Sequence, residues 1–93
     1  MTGAPVVWAR DERVLWRTVV EGVLVLPHGR DDLVVLGGSG AVLWEALGVP
    51  CDMRALTERV AREYGVEADV VEGDVVDALR HLADLGAVRE MNP

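Results

Sequence analysis

Ninety-three residues carrying a net charge of −7, 51% apolar and 27% charged, describe one soluble domain whose modest core leaves little room for a buried catalytic cavity. No apolar run approaches the roughly 20 residues of a membrane span, and no basic start leads into an apolar stretch as in a signal peptide. A single cysteine, Cys51, excludes an internal disulfide framework and fits a reducing cytoplasm. The charge is lopsided. Residues 1–36 carry four Arg and five acids, residues 37–93 five Arg and eleven acids, so the second half would repel a phosphate backbone.

In chain order, residues 1–12 read as a loosely tied lead-in with Pro5 and an Arg10-Asp11-Glu12 cluster, within which Val6-Val7-Trp8 could add a short strand. The β-branched run from Arg13 to Val20 predicts a first secure strand. A Glu21-Gly22 turn, the glycine supplying positive φ, leads into a second strand over Val23–Leu26. The polar stretch from Pro27 to Asp31 is a turn, and Leu33 to Leu36 a third strand that ends as an edge of the sheet. At Gly37 the apolar period changes from runs to spacings of three and four, so a helical half begins. Ser39 is a plausible N-cap for a helix over Gly40–Leu47, with Val42, Leu43, Ala46 and Leu47 inward and Trp44 adding a large surface. Asp52 caps a second helix, Met53–Tyr64, with Cys51 and Leu56 spaced as a hydrophobic staple and Gly65 as the stop. A third helix runs from near Glu67-Ala68 to Leu85, closed by Gly86, and Ala87-Val88-Arg89 follow as an extended piece.

The residues argue against catalysis. His28 and His81 are far apart and, with Cys51, do not make a zinc ligand set, so no metal or other cofactor is expected. Gly37-Gly38-Ser39-Gly40 joins a strand to a helix, yet it lacks the Lys and Ser/Thr of a phosphate loop and reads as a tight chain reversal. Asp74 and Asp77 read as a solvated face rather than an acid–base pair.

From Leu33 onward the layout resembles a known family. Leu33-Val34-Val35-Leu36 followed by Ser39 to Leu47 resembles the strand-to-helix segment of PqqD-like proteins, with their small-Ala-x-x-Trp-x-x-Leu pattern. Asp52 to Tyr64 with Gly65-Val66 is similar to the family's middle helix, which ends Arg-x-Tyr-Gly-Val. Asp74 to Val88 resembles its closing Asp-Val-x-x-Phe-Leu run, with Ala78 where the family usually has a bulkier group. The resemblance covers residues 14–89. It implies an α+β fold, a three-stranded antiparallel sheet followed by a three-helix bundle related to winged helix-turn-helix domains, within a domain spanning residues 13–90.

It also implies a function: the RiPP recognition element, a non-catalytic module that binds the leader of a ribosomally made precursor peptide and presents it to a maturation enzyme, such as a leader peptidase or a radical enzyme. Stand-alone versions serve in pyrroloquinoline quinone assembly and lasso-peptide maturation, the second being the pathway favoured here. An apolar edge strand can take a peptide as an added strand. The expected contacts are therefore Asp32, Leu33, Val34, Val35 and Leu36 on the third strand, and Val71, Asp74, Val75, Ala78, His81 and Leu82 on the third helix. Most of the helix stripe must be core, which leaves its margin, Asp74, Ala78 and His81, as the better groove candidates. Two other readings stay open. One is a winged-helix DNA-binding regulator, opposed by the acidity of the third helix; the other is an adaptor whose edge pairs with another copy of itself.

Overall fold

The switch of period at Gly37 falls where the last strand of one sheet meets the first helix. The computed structural model describes residues 6–91. Its elements run β1 (Val7–Arg10), β2 (Leu15–Val19), β3 (Gly22–Leu26), β4 (Val34–Leu36), α1 (Gly38–Ala46), β5 (Cys51–Asp52), α2 (Met53–Tyr64), α3 (Ala68–Asp84) and β6 (Val88–Met91). The architecture is α+β, as expected, but it has two antiparallel sheets of three strands, not one: β2-β3-β4 and β5-β1-β6.

The second sheet is the main departure from expectation. Val7–Arg10, read as part of a lead-in, form its central strand, pairing Trp8 with Cys51 on one side and with Glu90 on the other. Those partners lie at the middle and end of the chain, so no local pattern could announce them. Residues 1–5 and 92–93 of the expected lead-in and tail lie outside the described residues.

The meander follows the predicted order with small shifts. The hairpin turn is Val20-Glu21, since Val19 pairs with Gly22, and Gly22 opens β3 with φ 145°. A Cβ there would stand 2.0 Å from the Leu36 carbonyl oxygen, so only glycine lets β4 approach at this point. In α1 the N-cap is Gly37 and makes no side-chain cap bond, so Ser39 sits inside the first turn instead of capping it. Asp52 does cap α2, its carboxylate accepting from the Ala55 N–H at 2.8 Å, and Gly65 ends that helix in the left-handed region.

The inner face of the β2-β3-β4 sheet contributes Val23, Val25 and Leu36 to a core completed by Leu43, Trp44 and Leu47 of α1 and its flank, Leu56 and Val60 of α2, and Val75, Leu79 and Leu82 of α3. Trp44 is fully buried at its centre. Each large apolar side chain hidden this way contributes about 1.5–3 kcal/mol. Beside Trp44, Arg10 leaves the end of β1 and lays its guanidinium between two indoles, 4.5 Å from the Trp16 ring centre and 4.8 Å from that of Trp44. The two rings meet edge to face at 5.9 Å. Arg10 also donates from Nε to the Trp44 carbonyl at 2.9 Å and from Nη2 to the same oxygen. One side chain thus ties β1, β2 and α1 together.

The neighbouring residue closes the turn from β1 to β2. The Asp11 carboxylate accepts from the Arg13 backbone N–H at 2.9 Å and from its guanidinium at 3.0 and 2.9 Å, while the Asp11 N–H donates to the Ala87 carbonyl at 2.8 Å. The Arg13 side chain, then its backbone N–H, hold the Asp11 carboxyl well below the usual carboxylate range.

Two outcomes follow from this joint. Arg10→Ala removes a charge-assisted pair of hydrogen bonds and the stacked cation, and should lower the unfolding free energy by about 1.5–3 kcal/mol in urea titration. A depressed carboxyl stabilises above its ordinary pKa, and that stabilisation is lost as pH falls through the folded value. Asp11→Asn should therefore be less stable than the parent at pH 7, with the gap closing below about pH 4 when unfolding is followed across a pH series.

Candidate functional site

Strand β4 pairs with β3 only, so its other backbone border has no strand against it among the described residues. Its alternation is plain. Leu36 points into the core, Val34 is half-buried, and Val35 is 56% exposed on the opposite face. The strand contains neither proline nor a charged residue, the usual guards of an edge. β1 does not cover this border, since it is held in the other sheet.

Beside the border lies a furrow of about 290 Å³ lined by Val35, Leu36, Gly37, Ser39, Gly40, Ala78, His81 and Leu82. The wall opposite β4 is α3. Its buried stripe, Val71, Val75, Leu79 and Leu82, anchors the helix to the core, and this rotates the next face, Asp74, Ala78 and His81, towards the opening. A second furrow of about 260 Å³ continues towards the start of α3, lined by Ser39, Val60, Tyr64, Val66, Val70, Val71 and Asp74. The two share Ser39. A roomier hollow of about 550 Å³, lined by Met53, Arg54, Thr57, Glu58, Ala68 and Glu72, lies on another face of α3 and borders no strand.

The structure therefore brings together Val35, Leu36, Ala78, His81 and Leu82 in one furrow, and Val71 with Asp74 in the next. Val75 is fully buried and lines neither. Asp32 and Leu33 are exposed just before β4, and Val34 turns inward; none of these three lines either of the two furrows beside α3. Sequence reasoning misses Gly37, Ser39 and Gly40 along this furrow, because these small residues read as a chain reversal and Ser39 as a helix cap. It also missed Tyr64, Val66 and Val70 at the far end. Val70, exposed and out of phase with the buried stripe, was the available signal.

Among the described residues no three His, Cys, Asp or Glu side chains are grouped as metal ligands. Cys51 lies outside both furrows, donating towards the Ala46 and Val49 carbonyls, and burial pushes its thiol up, away from the reactive thiolate. No helix of the described residues is long and apolar enough to cross a membrane.

The family model described as coenzyme PQQ synthesis protein D (PqqD) matches residues 22–88. The chain belongs to the PqqD family. A solved structure of similar fold is TbiB1 in complex with the TbiA(beta) leader peptide, with a TM-score of 0.75 at 22% identity, covering 91% of this chain and 99% of that one. No curated protein matches the sequence. The stretch assigned to PqqD begins at Gly22 and ends at Val88, so it takes in β3, β4 and all three helices, the elements that build both furrows.

Proposed function

We propose that this PqqD-family chain binds the leader segment of a ribosomally made precursor peptide and hands it to a maturation enzyme such as a leader peptidase or a radical enzyme. The leader lies along β4 as an added strand, its main chain satisfying the open border and alternate side chains entering the furrow against α3. The chain acts by binding, and the bond chemistry belongs to its partner. The observation that carries this reading is the bare, apolar border of β4 set beside the furrow of Val35, Leu36, Ala78, His81 and Leu82. The leader bound by TbiB1, a protein of the same fold, supports it.

The dimensions agree. The 17 residues of α3 extend about 25 Å, the length of about eight residues of extended chain, so a leader segment of eight to twelve residues passes both furrows. Ala78 leaves a shallow recess where a larger group would fill the furrow, which suits an apolar leader side chain. Asp74, at the rim of the second furrow, accepts from a polar or basic leader group. The single thiol of Cys51 is at home in the cytoplasm, where precursor peptides are made.

The test is titration of the protein with fluorescein-labelled leader segments of precursor peptides from the same genome, with the TbiA(beta) leader peptide run beside them. The parent should bind at least one of these, while Val35→Pro, which deprives the β4 border of a donor, should lose binding at least about tenfold with circular dichroism unchanged. Ala78→Trp, which fills the furrow without touching the ladder, should weaken binding by a similar factor. Parent-like affinity in both folded variants would overturn strand addition at this border.

A further inference from the structure

The turn between β3 and β4 holds one side chain firmly in place. Pro27 is fully buried at its base, Gly29 takes φ 80°, and the Arg30 N–H closes it onto the Pro27 carbonyl at 3.2 Å. From this turn the Arg30 guanidinium crosses to the carboxyl end of α3 and donates from Nη2 to the Asp84 carbonyl at 3.3 Å. A helix leaves its last carbonyls without partners inside it, and a cation suits that end of its dipole. Here the chain itself serves the preceding ones: Leu85, Gly86 and Ala87 donate to the carbonyls of His81, Ala83 and Leu82. The Asp84 carbonyl falls to Arg30. Asp31, Asp32 and Asp84 are close in sequence, yet Arg30 forms no salt bridge among the described residues. Its guanidinium is fixed on a backbone atom, whose place is that of the helix.

This bond spans one end of the first furrow. Asp84 stands one helical turn beyond His81, and Arg30 precedes the Val35 wall in the chain. At the other end β4 runs through Gly37 directly into α1. The two walls are held unequally. α3 is bedded on the core by Val75, Leu79 and Leu82. β4 has three residues and pairs with β3 alone, and Asp31–Leu33, which lead into it, make no turn or loop backbone hydrogen bond among the described residues. Without Arg30, that lead-in has no bond to the helix it faces.

We propose that Arg30 is a positioning residue for leader recognition: by mooring the lead-in of β4 to the end of α3 it fixes the width of the furrow, and so the largest leader side chain that enters. The proposal rests on the leader-binding reading above and adds what sets its selectivity. Gly37, Ser39, Gly40 and Ala78 leave room in the furrow, about 290 Å³. Room alone does not select, because a cleft with one loose wall widens around a larger side chain. A cleft moored at both ends does not widen, and overfilling it is opposed as in a packed core. Aliphatic side chains enter; an indole is refused.

The experiment uses the full chain and the labelled leader that binds the parent, its apolar residues replaced one at a time by Trp. At the position that enters the furrow, the Trp peptide should bind the parent at least about tenfold more weakly than the unaltered leader. Arg30→Ala should bind the unaltered leader within about threefold of the parent, while that penalty shrinks to about threefold or less. Arg30→Lys, whose ammonium still donates to a carbonyl, should restore part of the penalty. Should Arg30→Ala fail to fold by circular dichroism, Arg30→Met, which keeps the stem and loses the donors, carries the same expectation. A helix cap with no part in selection would lower stability and leave the penalty at its parent value. An unchanged penalty in the folded variant therefore overturns the proposal, as does a parent that accepts Trp at every position. A parent that binds no leader overturns the leader-binding reading instead, and shows it before any variant is made.

Discussion

The guanidinium of Arg10, gripped between two indoles and bonded to the Trp44 carbonyl, is the joint on which the arrangement turns. It sits where β1 ends, just before the turn into β2, and fastens both to the first helix. With Arg10 held there, β1 runs out between β5 and β6 on one flank of the molecule, and β2 begins the meander on the other. A chain of this size has few ways to spare a strand border. This one does so by spending its amino-terminal strand on a separate small sheet. The cost is a charged group brought partly out of water, which lowers the Arg10 pKa through desolvation, with the nearby charge of Glu45 opposing that shift.

Once β1 is committed elsewhere, the functional geometry follows from packing alone. Gly22 permits β3 and β4 to close up, and the Val75-Leu79-Leu82 stripe beds α3 on the core. The small residues at the start of α1 leave a gap between helix and strand that larger side chains would fill. The furrow is the space left over when three well-packed elements meet at a glycine-rich corner. In the proposed mode of binding, backbone groups supply affinity and the furrow's shape supplies selectivity, which is how a domain without a deep pocket can recognise an extended peptide.

Much of this was legible in the residues, and the exceptions share a cause. α2 was readable to the residue, because Asp52 and Gly65 are strong local stops and the stripe between them is regular. The three meander strands and α3 were likewise written in short-range pattern. Short extended pieces near β1 and β6 were visible; hidden from such reading were β5, the pairing of these three strands across positions dozens of residues apart, and the meeting of Trp16 with Trp44 in space. Of the groove, the margin residues Ala78 and His81 could be inferred from helical phase. Val75, named among the expected contacts, lies in the middle of the stripe and is core, as most of that stripe must be. Ser39 looks like a cap because its type suits one; the backbone begins the helix two residues earlier, and the hydroxyl residue lines the furrow.

The antiparallel pairing of β1 with β6 sets Val7 opposite Met91, so both extremities of the folded unit leave it at neighbouring points. A module with adjoining exits can be spliced into a surface loop of a larger catalyst without prising that loop apart, or tethered by either extremity with the same outlook. In each of these arrangements the attachment falls on the β5-β1-β6 sheet, whereas β4 belongs to the other one. Portability between separate and covalently joined forms is thus built into the way this chain closes on itself.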